Sequence, residues 1–305
     1  MRSFFLFLFS VSLFGCQREL GIDLPYEGDR LVIFGLISAD STIAVRIQKT
    51  GPPTGRFIYS ESIVANAVTR LFENGVFMEQ LQHTADGNYL SPSGFKPKVG
   101  KGYSLKVAAP GLPNAETGVE VIPSAVKIDS HVFRDTIASP LNADDNSRKL
   151  TFVFTDDARE VNFYSAQIIG QYKGNFVALN TFYIGRPLEV SEDLCSFLAD
   201  DNQYVLQDGC FNGRSFSTDL GVSTSGNLQD TTGTGKSRGQ KLACDQILLR
   251  FRKVTRTYRD YLRLSGFDED GFLRAFTLPT REFTNVKGGY GLWAAYSEDE
   301  IDILK

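Results

Sequence analysis

Ala65-Asn66-Ala67-Val68-Thr69-Arg70-Leu71-Phe72 is followed by Glu73-Asn74-Gly75 and then by Val76-Phe77. Two apolar runs joined through Asn-Gly are the strongest short-range signal for a β-hairpin, because both turn positions of a tight hairpin need positive φ. The stretch reads as two antiparallel strands, and the chain around it reads the same way.

Upstream, Leu31-Val32-Ile33-Phe34-Gly35-Leu36-Ile37 is a near-continuous apolar run, suited to a strand buried on both faces. Ile43 to Lys49 alternates apolar and polar, as a half-exposed strand does, and Pro52-Pro53 ends it. Downstream come Gly87-Asn88-Tyr89-Leu90, then Gly102 to Val107, the break Ala109-Pro110-Gly111, and Thr117 to Pro123. About seven short strands at this spacing predict a β-sandwich over residues 31–123, similar to immunoglobulin-like or prealbumin-like modules. A second β-rich domain is expected over residues 124–305. Its strands are Val126 to Phe133, Leu150 to Phe154, Asn162 to Ile169, Gln246 to Arg252 and Tyr290 to Tyr296. Asn142 to Ser147 reads as a polar turn, and residues 185–240 give no reliable pattern. One short helix is predicted over Thr255 to Leu264, where Tyr258, Tyr261, Leu262 and Leu264 give a rough i, i+3, i+4 face.

Composition agrees with a mostly β chain. Of 305 residues, 24 are Phe and 12 Tyr, and aromatic side chains favour strands. A net charge of −4 argues against a nucleic-acid partner, which would require a basic face.

The first fifteen residues read as a signal peptide: Arg2, then an apolar run from Phe4 to Phe14 broken only by serines. That run is too short to cross a ~30 Å hydrocarbon core, which needs roughly 20 residues. It ends in Leu13-Phe14-Gly15-Cys16, which resembles the lipobox of bacterial lipoproteins. The resemblance implies that Cys16 is diacylated on sulfur, becomes the N-terminus after cleavage and is acylated on its amine. Several acyl chains anchor stably where one holds only marginally. Residues 16–30 then form a tether, of at most about 50 Å when extended. Gln17-Arg18-Glu19 is similar to the charged signal that sends lipoproteins of one Gram-negative phylum to the outer face of the outer membrane, although it carries a single acidic residue.

With Cys16 committed to lipid, Cys195, Cys210 and Cys244 remain. Export implies an oxidising compartment, so a Cys195–Cys210 disulfide is expected, with three unpaired thiols as the alternative. Gly233-Thr234-Gly235-Lys236-Ser237 fails as a phosphate-binding loop, since Asp230 stands where that pattern needs glycine. Only His83 and His131 are available for metal or triad chemistry, with neither metal-ligand spacing nor a G-x-S-x-G elbow. Asp156-Asp157, Asp200-Asp201 and Asp268-Glu269-Asp270 sit in turn-like contexts, and the last lacks the ligand positions of a calcium loop. No catalytic residue, metal or cofactor is assigned.

Five segments taken together resemble one family, the domain of unknown function numbered 4249. They are Ile22-Asp23-Leu24-Pro25, the strand around Gly35, the paired glycine-tyrosine elements Gly87 to Tyr89 and Gly100 to Val107 counted as one, Glu160-Val161-Asn162-Phe163-Tyr164, and Thr284 to Trp293. The resemblance implies an outer-membrane lipoprotein, often encoded beside a TonB-dependent transporter, and carries no catalytic residues. Gly288, Gly289 and Gly291 of the final segment read as a structural turn entering the last strand. Three functions follow as expectations: an accessory partner that binds or presents an unknown ligand to such a transporter, a stand-alone surface module for glycan or protein, and, least favoured, a hydrolase.

Overall fold

A computed structural model describes residues 26, 28–52, 58–138, 147–184, 196–200, 203–228, 242–265 and 283–305. The first part contains β1 (Leu31–Ile37), β2 (Ala44–Lys49), the short helix α1 (Tyr59–Ser62), β3 (Val68–Glu73) and β4 (Val76–His83). It continues with β5 (Asn88–Leu90), β6 (Gly102–Ala108), β7 (Ala115–Thr117) and β8 (Glu120–Val121). Then come β9 (Ser130–Ile137), β10 (Ser147–Thr155), β11 (Phe163–Tyr172), β12 (Asn175–Ala178), β13 (Thr181–Tyr183) and β14 (Ser196–Asp200). The remainder is β15 (Gln203–Gln207), β16 (Ser215–Ser223), β17 (Ser225–Leu228), β18 (Leu242–Ala243), β19 (Gln246–Val254), α2 (Arg256–Ser265), β20 (Val286–Lys287) and β21 (Tyr290–Asp302). The chain is mostly β, arranged in several sheets.

The Asn74-Gly75 hairpin is present. Both residues have positive φ, 48° and 82°, and β3 pairs antiparallel with β4. From there β6 pairs with β3, β7 with β6, and β20 with β7. Another sheet runs β21, β1, β2, β5, and the far end of β4 joins it through Gln82 and His83. Inward residues of both sheets meet in one core that contains Leu31, Ile33, Val45, Ile47, Leu71, Tyr103 and Trp293. Alternation explains the choice: Tyr103, Leu105 and Val107 point inward from β6 while Lys106 between them is exposed. A second core, rich in Phe152, Phe154, Tyr164, Phe211 and Phe251, lies between the sheet of β11, β15 and β19 and the four-stranded sheet β13-β16-β10-β9.

Three expectations need correction. The apolar run of β1 is not buried on both faces throughout: Phe34 is 40% exposed, its ring meeting Tyr261 edge-on. The strand expected over Thr117 to Pro123 is broken at Gly118-Val119, because the Gly118 N–H donates to Asn285 O. The strand expected from Val126 starts at Ser130 instead; the preceding stretch is held by the Ile128 N–H on Asp299 Oδ2.

β21 belongs to both parts. Tyr290 to Ala295 runs parallel to β1, and Tyr296 to Asp302 runs antiparallel to β19. α2 covers this crossing, burying Tyr258 and Leu262 against Phe163, Val254, Leu292 and Ala294, with Leu36 of β1 packed alongside. At the start of α2, the Thr257 hydroxyl donates 2.5 Å to the carboxylate of buried Glu120, which Thr255 also bonds. Burial outweighs both bonds and raises the Glu120 carboxyl above its ordinary value of 4.5. The folded state therefore binds this proton more tightly than the unfolded chain, so the ionised side chain weakens folding as pH rises through the folded pKa. Glu120→Gln, which keeps an acceptor for Thr257, should match or exceed wild type in urea unfolding at pH 7.5. Its advantage should shrink as pH falls toward 4.5. A variant less stable than wild type at neutral pH would contradict this account.

Candidate functional site

The segment Thr284 to Trp293 builds the joint between β21 and the first core. Asn285 acts as a one-residue strand partner: its Nδ2 donates to Trp293 O at 2.6 Å and its Oδ1 accepts the Trp293 N–H at 2.9 Å. The Trp293 ring is fully buried over Gly35, where any Cβ would stand 2.7 Å from the ring. Its Nε1–H donates to Tyr103 O at 2.9 Å. Gly288 and Gly291 have φ of +80° and +115°, a region that side chains rarely enter. A Cβ on Gly288, Gly289 or Gly291 would run into the carbonyl oxygen of Asn114, Leu31 or Ile33 respectively. These glycines let backbone lie against backbone.

The segment Glu160 to Tyr164 organises a buried polar hub. Asn162 Nδ2 reaches Asp156 Oδ1, Asp157 O and Glu160 O at 3.0, 2.8 and 3.0 Å, while its main-chain N–H donates to Asp208 Oδ2 at 2.5 Å. Asp156 also accepts from the Tyr164 hydroxyl at 2.6 Å and the Gly213 N–H at 2.8 Å. Burial, with the nearby Asp156 charge, raises the Asp208 carboxyl, and burial raises the Tyr164 phenol. The hub ties the loop before β11 to the turn at Asp208–Cys210.

A concave feature of ligand size lies elsewhere among the described residues, on the outer face of the β3-β6-β7-β20 sheet. It is a groove of about 480 Å³ bordered by Val68, Ala108, Asn114 and Gly288. Across its floor the register places Arg70 opposite Lys106, Lys106 opposite Glu116, and Glu116 opposite Lys287. All four side chains are exposed, as same-face neighbours on adjacent strands must be when that face meets solvent. Lys106 Nζ lies 3.2 Å from Glu116 Oε1 and 5.4 Å from the centre of the Phe72 ring. Arg70 and Lys287 have no ion pair among the described residues.

None of these four charges stands out in the linear sequence; only strand register assembles them. Alternation would have placed Arg70 and Lys106 on polar faces, without saying that the faces adjoin. Of the cysteines, Cys210 is disulfide-bonded and Cys244 is a half-buried free thiol, raised in pKa by burial. Cys16 and Cys195 lie outside the described residues, as do the first tether residues, Gly233–Ser237 and Asp268–Asp270. His83 lies on β4 against the Tyr89 ring, whereas His131 lies on β9 in the four-stranded sheet. Among the described residues no three His, Cys, Asp or Glu side chains are grouped to hold a metal, and no helix is long and apolar enough to cross a membrane.

A strand-rich chain whose signature glycines dock its C-terminal strand onto its first sheet defines a structural class rather than an activity. The chain belongs to the family described as "Domain of unknown function (DUF4249)", whose model matches residues 17–302. No curated protein matches it. Among solved structures, it is similar to one titled "Crystal structure of Putative membrane anchored protein from Corynebacterium diphtheriae", at 11% identity and a TM-score of 0.21. That match covers 74% of this chain and spans about half, 55%, of the other. A likeness so slight carries no argument about fold or role.

Proposed function

We propose that the protein is an outer-membrane lipoprotein, acylated at Cys16, whose β-body is a ligand-binding accessory of a TonB-dependent transporter at the cell surface. One observation carries the reading: Leu13-Phe14-Gly15-Cys16 closes a short apolar leader, and the first strand among the described residues begins at Leu31. The residues between are a tether that sets a folded body off the membrane. In this reading residues 31–123 form a sandwich-like module completed by β20 and β21, residues from 124 on form the second module, and Cys195 bridges Cys210. The reading takes binding rather than turnover as the protein's work; the two histidines that a Ser-His-Asp triad would draw on stand on separate sheets.

Cys16→Ala tests the anchor. Wild type should fractionate with outer membrane and show a triacylated N-terminal peptide by mass spectrometry, and the variant should lose both. An unmodified N-terminus on wild type, or recovery with cytosolic material, ends the proposal. Gentle detergent extraction should also bring down a β-barrel transporter with the wild-type protein, and its consistent absence would leave only the second reading. That second reading, a stand-alone binding module, is favoured by the groove being complete within one chain. Glycan stacking gains nothing from the single tryptophan, because Trp293 is wholly buried.

A further inference from the structure

We infer that the groove over β3, β6, β7 and β20 binds the oxyanion group (phosphate, sulfate or carboxylate) of a small molecule. Its floor is a cross-strand row of three cations and one carboxylate: Arg70, Lys106, Glu116 and Lys287. Like charges directly opposite on neighbouring strands weaken a sheet, so folding alone gains nothing from facing Arg70 with Lys106. Glu116 engages Lys106, and among the described residues this leaves Arg70 and Lys287 without an ion pair on either side of that bridge. The excess of positive charge is local, since the chain as a whole carries −4.

Geometry suits an oxyanion. Neighbouring strands lie about 4.8 Å apart, so an anion seated over Arg70 and Lys106 meets both cations at once. The guanidinium offers a planar fork that matches two oxygens of one anion. At about 480 Å³ the groove has small-molecule dimensions. Val68 and Ala108, opposite each other on the same face, form an apolar wall at one end, so the anionic ligand carries a small apolar part. Lys287 comes from the segment that docks β21, so the groove is complete only when that joint is made. The inference names a ligand class for the binding role proposed above and relies on that role only for its setting.

The full-length lipidated protein in neutral detergent is titrated by calorimetry with inorganic phosphate and with citrate, in low salt and in 150 mM salt. Saturable binding of at least one anion is expected, weaker in the higher salt as Debye screening requires. Arg70→Gln and Lys287→Gln should each weaken it about tenfold, the loss of one charge-assisted hydrogen bond. Glu116→Gln should tighten it, by removing the competing carboxylate. All three positions are exposed, so circular dichroism and melting temperature should match wild type. Absence of saturable binding, affinity indifferent to Arg70→Gln, or weakening by Glu116→Gln would each overturn the site. Micelles doped with phosphatidylglycerol form a separate arm: a response to that lipid with none to free anions would place the ligand in a headgroup and overturn a small-molecule site. Anchoring is read independently, by mass spectrometry and fractionation, so the failure of either idea leaves the other standing.

Discussion

Trp293→Ala should cost about 3–5 kcal/mol of folding stability, the usual loss when a large buried aromatic is truncated. Cavity formation is only part of it. The ring fills the space that Gly35 leaves on β1, and Val45 of β2 borders that same space, so the hole opens where two strands of the first core approach. The indole N–H is also the donor for Tyr103 O, which loses a buried partner. Trp293→Phe, which keeps most of the volume and loses the donor, should cost much less. Urea unfolding followed by circular dichroism measures both, since the variants lack the only tryptophan. In the wild type that tryptophan reports on the joint by itself: its emission should be blue-shifted when folded and move red as β21 leaves β1. A loss under about 1 kcal/mol for the alanine variant would show that the joint is not a keystone of the first core.

Asn162→Ala should cost about 2–4 kcal/mol, because it strips a donor from a buried carboxylate and from two carbonyls at once. Asp156 would keep the Tyr164 hydroxyl and the Gly213 N–H, while Asp157 O and Glu160 O would lose the amide that gathers the loop. The near-isosteric Asn162→Asp distinguishes chemistry from size. It places a third carboxyl beside Asp156 and Asp208, so its folded pKa must rise above the unfolded value. Its destabilisation should then exceed that of alanine at pH 7.5 and diminish as pH is lowered, since stability is regained as the extra group takes up its proton. Urea midpoints at pH 7.5 and pH 5 measure this. Equal costs for the aspartate at both values would mean that the hub is held by shape and not by charge.

The parts of the fold that could be read in advance are those whose signal is local. Asn74-Gly75 states its turn, and the alternation of Tyr103, Leu105 and Val107 states which face of β6 is inward. The helix was legible from Tyr258 and Leu262, which do form its buried face. The second half of β21 was not. Ser297 to Asp302 resembles a solvated acidic tail, yet it is strand because its backbone pairs with β19, whose Arg250 and Arg252 also meet Glu300 and Glu298 at 2.7 and 2.5 Å. That stabilisation lies in the partner strand and leaves no period in the segment itself. The groove was hidden for the same reason. Its charges come from four strands whose adjacency depends on a parallel docking and three antiparallel registers, and none of these is encoded in the spacing of Arg70, Lys106, Glu116 and Lys287 along the chain.

The sharing of β21 has a kinetic meaning. Trp293 and Tyr103 are separated by 190 residues, and the first core cannot close around its largest side chain until that gap has been bridged. Non-local closure of this kind slows folding, because chain entropy is lost before the contact repays it. A nascent or threaded polypeptide ending anywhere short of the joint therefore lingers as an open sheet edge. The early strands gain nothing by rushing, and the molecule commits to its shape only once its distant closing strand has arrived.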